Sequence, residues 1–195
     1  LFMMLMLTLT TVVCAQQAVG FSNGQCGRNN LTSIGSADVQ GQMMRLSADK
    51  VKALVGAKLT GVSVVVGSRN CQDYDVFVRT SPEGANLAHA SIVPAKANVW
   101  ADYAFDAAYT VTGNEPALYV GYTCKAGNYQ ALSYDLTQDS KDVSFAYNEG
   151  VWQDTYGMSL GMPNVRVLAE GTPASADLML KTYTQQGYYK GGQDY

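Results

Sequence analysis

From Leu59 to Glu170 the chain trades apolar for polar side chains at almost every step, and that period of two limits it to β-structure. In Leu59 to Val66, Val62, Val64 and Val66 share one face. In Asp75 to Ser81, Val76 and Val78 oppose Phe77. In Trp100 to Val111, Tyr103, Phe105, Ala107, Tyr109 and Val111 oppose Asp102, Ala104, Asp106 and Ala108. Leu118, Val120, Tyr122 and Cys124 form another such face, and Leu87–Val93, Tyr129–Leu136, Ser144–Asn148 and Val165–Glu170 extend the series. Turn chemistry at Pro82-Glu83-Gly84 and Gly113-Asn114-Glu115-Pro116 separates the runs. Eight or nine short strands with a turn about every 8–12 residues predict an all-β sandwich or barrel. One wet and one packed face per strand predicts two antiparallel sheets.

One helix interrupts this pattern. Ser47 is a good N-cap, Asp49 suits the first turn, Val51, Leu54 and Val55 make a short apolar stripe, and Gly56 ends it. Such a helix is expected to lie on the sandwich as a lid. Trp100, beside an alternating strand, is expected in the core.

The ends set expectations about organisation. Leu1 to Val13 is an uncharged apolar run too short to span a bilayer. Residues 1–15 are therefore expected to be a secretory signal peptide cleaved after Ala15. A lipoprotein signal with Cys14 lipidated is the competing reading, although such processing prefers a small residue where Val13 stands. Residues 16–171 are expected to form the module. Gly171 to Ser175 reads as a linker, and Asp177-Leu178-Met179-Leu180 as the first strand of a truncated second β domain. No later stretch is apolar enough for a transmembrane helix.

Charge and cysteines narrow the function. A net charge of −3, with no basic cluster, argues against nucleic acid as a partner. After the signal segment the thiols are Cys26, Cys71 and Cys124, whose spacing fits no zinc motif. One disulfide and one free thiol is the expected arithmetic in an oxidising compartment, with three pairings open and Cys71–Cys124 preferred. Three inert buried thiols is the other reading.

The order of several short motifs resembles a known family. They are Leu46-Ser47-Ala48-Asp49-Lys50-Val51, Gly61 to Gly67, Asp75-Val76-Phe77-Val78-Arg79-Thr80-Ser81, Trp100, Leu118-Tyr119-Val120-Gly121-Tyr122, Gly150-Val151-Trp152-Gln153-Asp154 and Asn164 to Gly171. Residues 40 to 171 thereby resemble the secreted jelly-roll modules of Bacteroides-type bacteria. Those modules are related to the cleaved-adhesin and haemagglutinin domains that accompany gingipain-like and streptopain-like cysteine proteases. The resemblance implies a jelly-roll β-sandwich, galactose-binding-like or MAM-like, often followed by an immunoglobulin-like domain. It implies adhesion or accessory binding and carries over no catalytic residue. Calcium-bearing members have acidic loops, but Asp135, Asp139 and Asp142 fall short of an EF-hand or RTX spacing. No metal site is expected here, and no cofactor beyond a structural calcium without a clear motif.

Catalysis would need a constellation the sequence does not spell. The single histidine, His89, stands mid-strand between alanines, where the structural role is the ordinary one. Asp102 and Asp106 share a strand face, and Glu149 and Asp154 flank Trp152. A glycosidase would need two such carboxyls facing one cleft, and the bland reading is solvated acids. For binding an extracellular glycan or protein, Trp152 with Tyr147, Asn148, Gln153, Asp154 and Tyr156 is the strongest group. These residues are expected in a glycine-bracketed loop, with Tyr129 and Tyr134 as further candidates. The competing reading packs Trp152 as core.

Overall fold

The structure, a computed structural model, describes residues 16–22, 31–35 and 38–171. The signal segment, Cys14, Cys26 and the linker with its second-domain strand lie outside the described residues. In chain order the elements are β1 (Gln17–Gly20), β2 (Leu31–Thr32), β3 (Val39–Ser47), α1 (Ala48–Ala53), β4 (Lys58–Val65), β5 (Gln72–Arg79) and β6 (Asn86–Ile92). Then come β7 (Trp100–Thr110), β8 (Ala117–Lys125), β9 (Leu132–Asp135), β10 (Ser144–Asn148), β11 (Val151–Asp154), β12 (Met162–Pro163) and β13 (Val165–Glu170).

Among the described residues every strand pair is antiparallel. One sheet has the order β1-β13-β4-β7 and a second the order β11-β10-β3-β8-β5-β6. Across these two sheets the chain alternates from β1 through β8, changing sheet at each connection except β5 to β6; β10 and β11 then add to the sheet of β8 before β13 returns to the other, a jelly-roll wrapping. The inward positions are those the alternation marks. Val62, Val64, Val165, Val167 and Phe105 come from one sheet, and Val76, Val78, Leu118, Val120 and Tyr122 from the other. All belong to one buried cluster.

The α1 helix is shorter than the Ser47–Gly56 pattern suggests. It buries Val51 and Ala53, with Leu54 behind them, and Gly56 donates its N–H to Val111 O at 2.9 Å. The helix so ties itself to the turn after β7 and closes one mouth of the sandwich. The other mouth is sealed by the small sheet β12-β9-β2, which a buried polar network joins to both layers. Gln42 Oε1 accepts the Ser133 N–H at 2.9 Å, Asn164 Nδ2 donates to Ser133 Oγ at 2.8 Å, and the Ser22 hydroxyl donates to Asn164 Oδ1. Asn164→Ala is expected to deprive both serines of that partner in a dry site, costing about 2 kcal/mol. A lowered midpoint of urea denaturation with an unchanged slope would be the readout.

Two expectations need correction. Trp100 is not core: it is half-buried on the outer face of the four-stranded sheet, where the Arg166 guanidinium stacks 3.7 Å from its ring. The stretch around Trp152 is not a loop. It forms β11, paired to β10 through the two-residue turn Glu149-Gly150. Both turn residues have positive φ, 53° and 84°, the type I′ geometry that matches strand twist.

Candidate functional site

The two outer faces of the sandwich differ in chemistry. On the four-stranded sheet, β7 presents Asp102, Ala104, Asp106 and Ala108 to solvent, and Trp100 with the Arg166 guanidinium is the aromatic contact there. The six-stranded sheet carries aromatic rings on its outside, and strand register explains where.

One cross-strand row runs Phe145, Met43, Gly121, Phe77, His89 over β10, β3, β8, β5 and β6. A neighbouring row runs Trp152, Tyr147, Gly41, Thr123, Asp75, Ser91 from β11 to β6. A third sets Arg45, Tyr119 and Arg79 side by side. The two glycines lower the middle of the face. A side chain at Gly41 would meet the Trp152 ring, and one at Gly121 would collide with Gln42 O and Met43. The β10–β11 hairpin folds Trp152 across this hollow. Its ring reaches Phe77 edge-on, 5.9 Å between centroids, and leans on Tyr147 at 5.1 Å. Phe145 and Tyr119 meet edge to face at 5.7 Å. Met43, Phe77 and Trp152 thus form a second buried cluster outside the sandwich, with Tyr119, Phe145 and Tyr147 half-buried around it.

Polar groups rim the cluster on the β5–β6 side. The Arg79 guanidinium lies 3.8 Å over the Phe77 ring, donating from Nε to Asn86 Oδ1 at 2.6 Å and from Nη1 to Pro82 O at 3.1 Å. His89 Nδ1 and Asp75 Oδ1 stand 3.2 Å apart, with both side chains partly exposed. A fixed cation, a carboxylate and an imidazole therefore border half-covered rings. This combination gives apolar ring contact together with donors and acceptors for hydroxyls or amides.

The sequence-selected residues divide. Tyr147 and Trp152 meet, but Trp152 is 9 % exposed and offers little ring to a ligand. Asp154 is on the same face, yet its carboxylate accepts the N–H groups of Asp142 at 2.8 Å and Tyr156 at 2.9 Å. Asn148 and Gln153 alternate to the other side of the hairpin, as period two requires. Tyr156 is exposed in the following turn. Tyr134 is fully buried, so it joins no surface site. Tyr129 lines a separate cleft of about 280 Å³ with Asp38, Asn70, Gln72 and Lys125.

The acids occupy structural roles. Asp135 accepts from Thr137, and Asp139 accepts the Gly157 N–H at 3.0 Å. Among the described residues no group of three or more His, Cys, Asp or Glu is placed to hold a metal. Cys71 and Cys124, the thiols that the sequence pairs, both lie buried in the core cluster as free cysteines with no disulfide between them.

Reasoning from the sequence missed Met43, Phe77, Arg79, Tyr119 and Phe145. Their signal was present: each is a large side chain at the position of its strand that alternation assigns to solvent. Fold and face together define the class, a jelly-roll β-sandwich with an aromatic cluster on the outer face of its six-stranded sheet. No protein-family model, curated protein or solved structure matches the chain.

Proposed function

We propose that the chain is a non-catalytic binding module of a larger exported protein, and that it takes a glycan across the outer face of the six-stranded sheet. The observation that carries this reading is the asymmetry of the outer faces. One presents the exposed acids of β7 and a single Trp100–Arg166 stack, while the other sets half-buried Tyr119, Phe145 and Tyr147 on one face with Arg79, Asp75 and His89. Sugar rings present apolar C–H faces and a rim of hydroxyls, which such a surface complements. The resemblance to adhesin-type modules points the same way. The non-catalytic part of the reading rests on where reactive groups stand. His89 is on the sheet surface with Asp75, and Asp102 and Asp106 are on the opposite sheet from Glu149 and Asp154.

A glycan array followed by calorimetry tests the proposal. Tyr119→Ala and Tyr147→Ala are each expected to weaken binding about tenfold or more, as loss of a stacking ring does. Asp106→Ala, on the four-stranded sheet, is expected to bind as the parent does. Absence of any glycan ligand, or equal affinity in folded tyrosine variants, would remove the reading. Trp152→Ala is a poor probe, since it strips Phe77 of its cover and disturbs the sheet along with the face.

A further inference from the structure

Cys71 lies one residue before β5, and Cys124 is next to last in β8. These strands are antiparallel neighbours with Gln72 opposite Lys125, and their register slips between Gln72 and Asp75. At the slip Asp73 takes a positive φ of 51°, and its carboxylate pairs with Lys125 Nζ at 2.6 Å. An irregularity of this kind re-aims side chains. Here Cys71 and Cys124 both enter the core cluster, close enough for each to perturb the other's ionisation, and the Cys71 thiol donates to Ala126 O at 3.9 Å. Their depths differ in access. Cys71, 6 % exposed, lines a cleft of about 280 Å³ with Arg69, Asp73, Ile92, Val93 and Pro94. Cys124 is 1 % exposed and does not line that cleft.

We propose that Cys71 and Cys124 are a redox pair that closes to a disulfide by exchange with a small-molecule disulfide entering through this cleft. The proposal is independent of any ligand on the outer face. In the first step the Cys71 thiolate attacks one sulfur of the incoming disulfide, forming a mixed disulfide and expelling one carrier thiolate. In the second, the Cys124 thiol gives up its proton and its sulfur attacks Cys71 Sγ. The Cys71–Cys124 bond forms, the mixed disulfide breaks, and the second carrier thiol leaves. Two electrons pass from the cysteine pair to the carrier; the proton released by Cys124 goes to the second carrier thiolate, and the first carrier thiolate takes its proton from solvent.

The order follows from the geometry, because only Cys71 faces the cleft. Electrostatics agree. The neighbouring Cys124 holds the Cys71 thiol below the ordinary cysteine range, against the opposing effect of burial. Cys124, beside Cys71 and buried more deeply, is raised. The lowered thiol of the pair is the one that more readily supplies thiolate, the attacking form.

The test equilibrates the full reduced chain with oxidised glutathione, quenches it in acid, blocks free thiols with N-ethylmaleimide and maps the peptides by mass. The expected result is loss of the maleimide label at both positions and a peptide joining Cys71 to Cys124. Cys124→Ser is expected to stall with glutathione on Cys71, whereas Cys71→Ser leaves Cys124 unmodified in the folded chain. Maleimide on both thiols at every glutathione ratio would overturn the proposal. So would a cross-link to Cys26, or glutathione reaching Cys124 first. The unmutated chain decides the first two outcomes even if a variant fails to fold.

Discussion

Gly121→Val is expected to destabilise the protein by about 3 kcal/mol or more, an overpacking cost at the upper end of its range. Gly121 stands in the middle of the six-stranded sheet, between Met43 on β3 and Phe77 on β5. Any Cβ there would fall on the Gln42 carbonyl and the Met43 side chain. Relief would require β3 to move from β8, and Met43 and Phe77, both fully buried, would lose their seat. Urea denaturation followed by near-ultraviolet circular dichroism reads both consequences, because Trp152 and Phe77 are in contact. Gly150→Asn is the control. Gly150 has φ 84° and open space where a side chain would project. Asparagine tolerates that backbone region, so the change is expected to cost under about 1 kcal/mol. If Gly121→Val denatures at the parental midpoint, the close approach of β3 and β8 described above is wrong.

Glu115→Ala is the second large effect, expected to cost about 3 kcal/mol. Glu115 closes the turn between β7 and β8 and is 6 % exposed. Its carboxylate accepts the Tyr109 hydroxyl, the Thr112 N–H at 2.9 Å, the Thr112 hydroxyl at 2.8 Å and the Gly113 N–H at 2.8 Å. Burial pushes its pKa up, but the bonds from Tyr109 and Thr112 outweigh that and hold it at about 2, against an ordinary value of 4.5. A carboxyl whose pKa is depressed by folding adds stability that is complete above its unfolded value. That contribution is therefore present above pH 4.5 and falls away as the pH drops toward 2. Glu115→Gln, which cannot ionise, is expected to flatten the difference in thermal midpoint between pH 5 and pH 2.5 that this group contributes. A parental chain and a Gln variant with parallel pH profiles would show that the turn carries no such charge.

The fold was readable because its inner faces obey one rule. Val62 and Val64, Val76 and Val78, and the Leu118–Cys124 series each put their odd or even members inside. The same rule hid the site. Alternation assigns Phe77, Met43 and Tyr119 to solvent, and only the pairing of distant strands shows that they share one surface. Residues 43, 77 and 119 are far apart in sequence, so no local window contains the cluster. Trp152 was found for its company of polar neighbours, yet two of those, Asn148 and Gln153, point to the other side of the hairpin. Asp154 illustrates a different limit. An acid beside an exposed tyrosine looks like a ligand-binding group until the N–H donors it already serves are known. Cys71 and Cys124 were paired from their closeness to strands; alternation alone puts Cys124 inside, but the register slip beside Cys71 leaves no mark in the sequence.

The placement of β1 beside β13 has a mechanical consequence. Gln17 lies across from Ala169 and Gly20 across from Arg166, so the chain enters and leaves the sandwich at one corner. Tension transmitted through the flanking segments would pull these two strands apart from that corner, opening their ladder one rung at a time instead of shearing all rungs together. The module would yield by peeling β1 at low force, while the six-stranded sheet, which lies off the line of pull, kept its aromatic face intact.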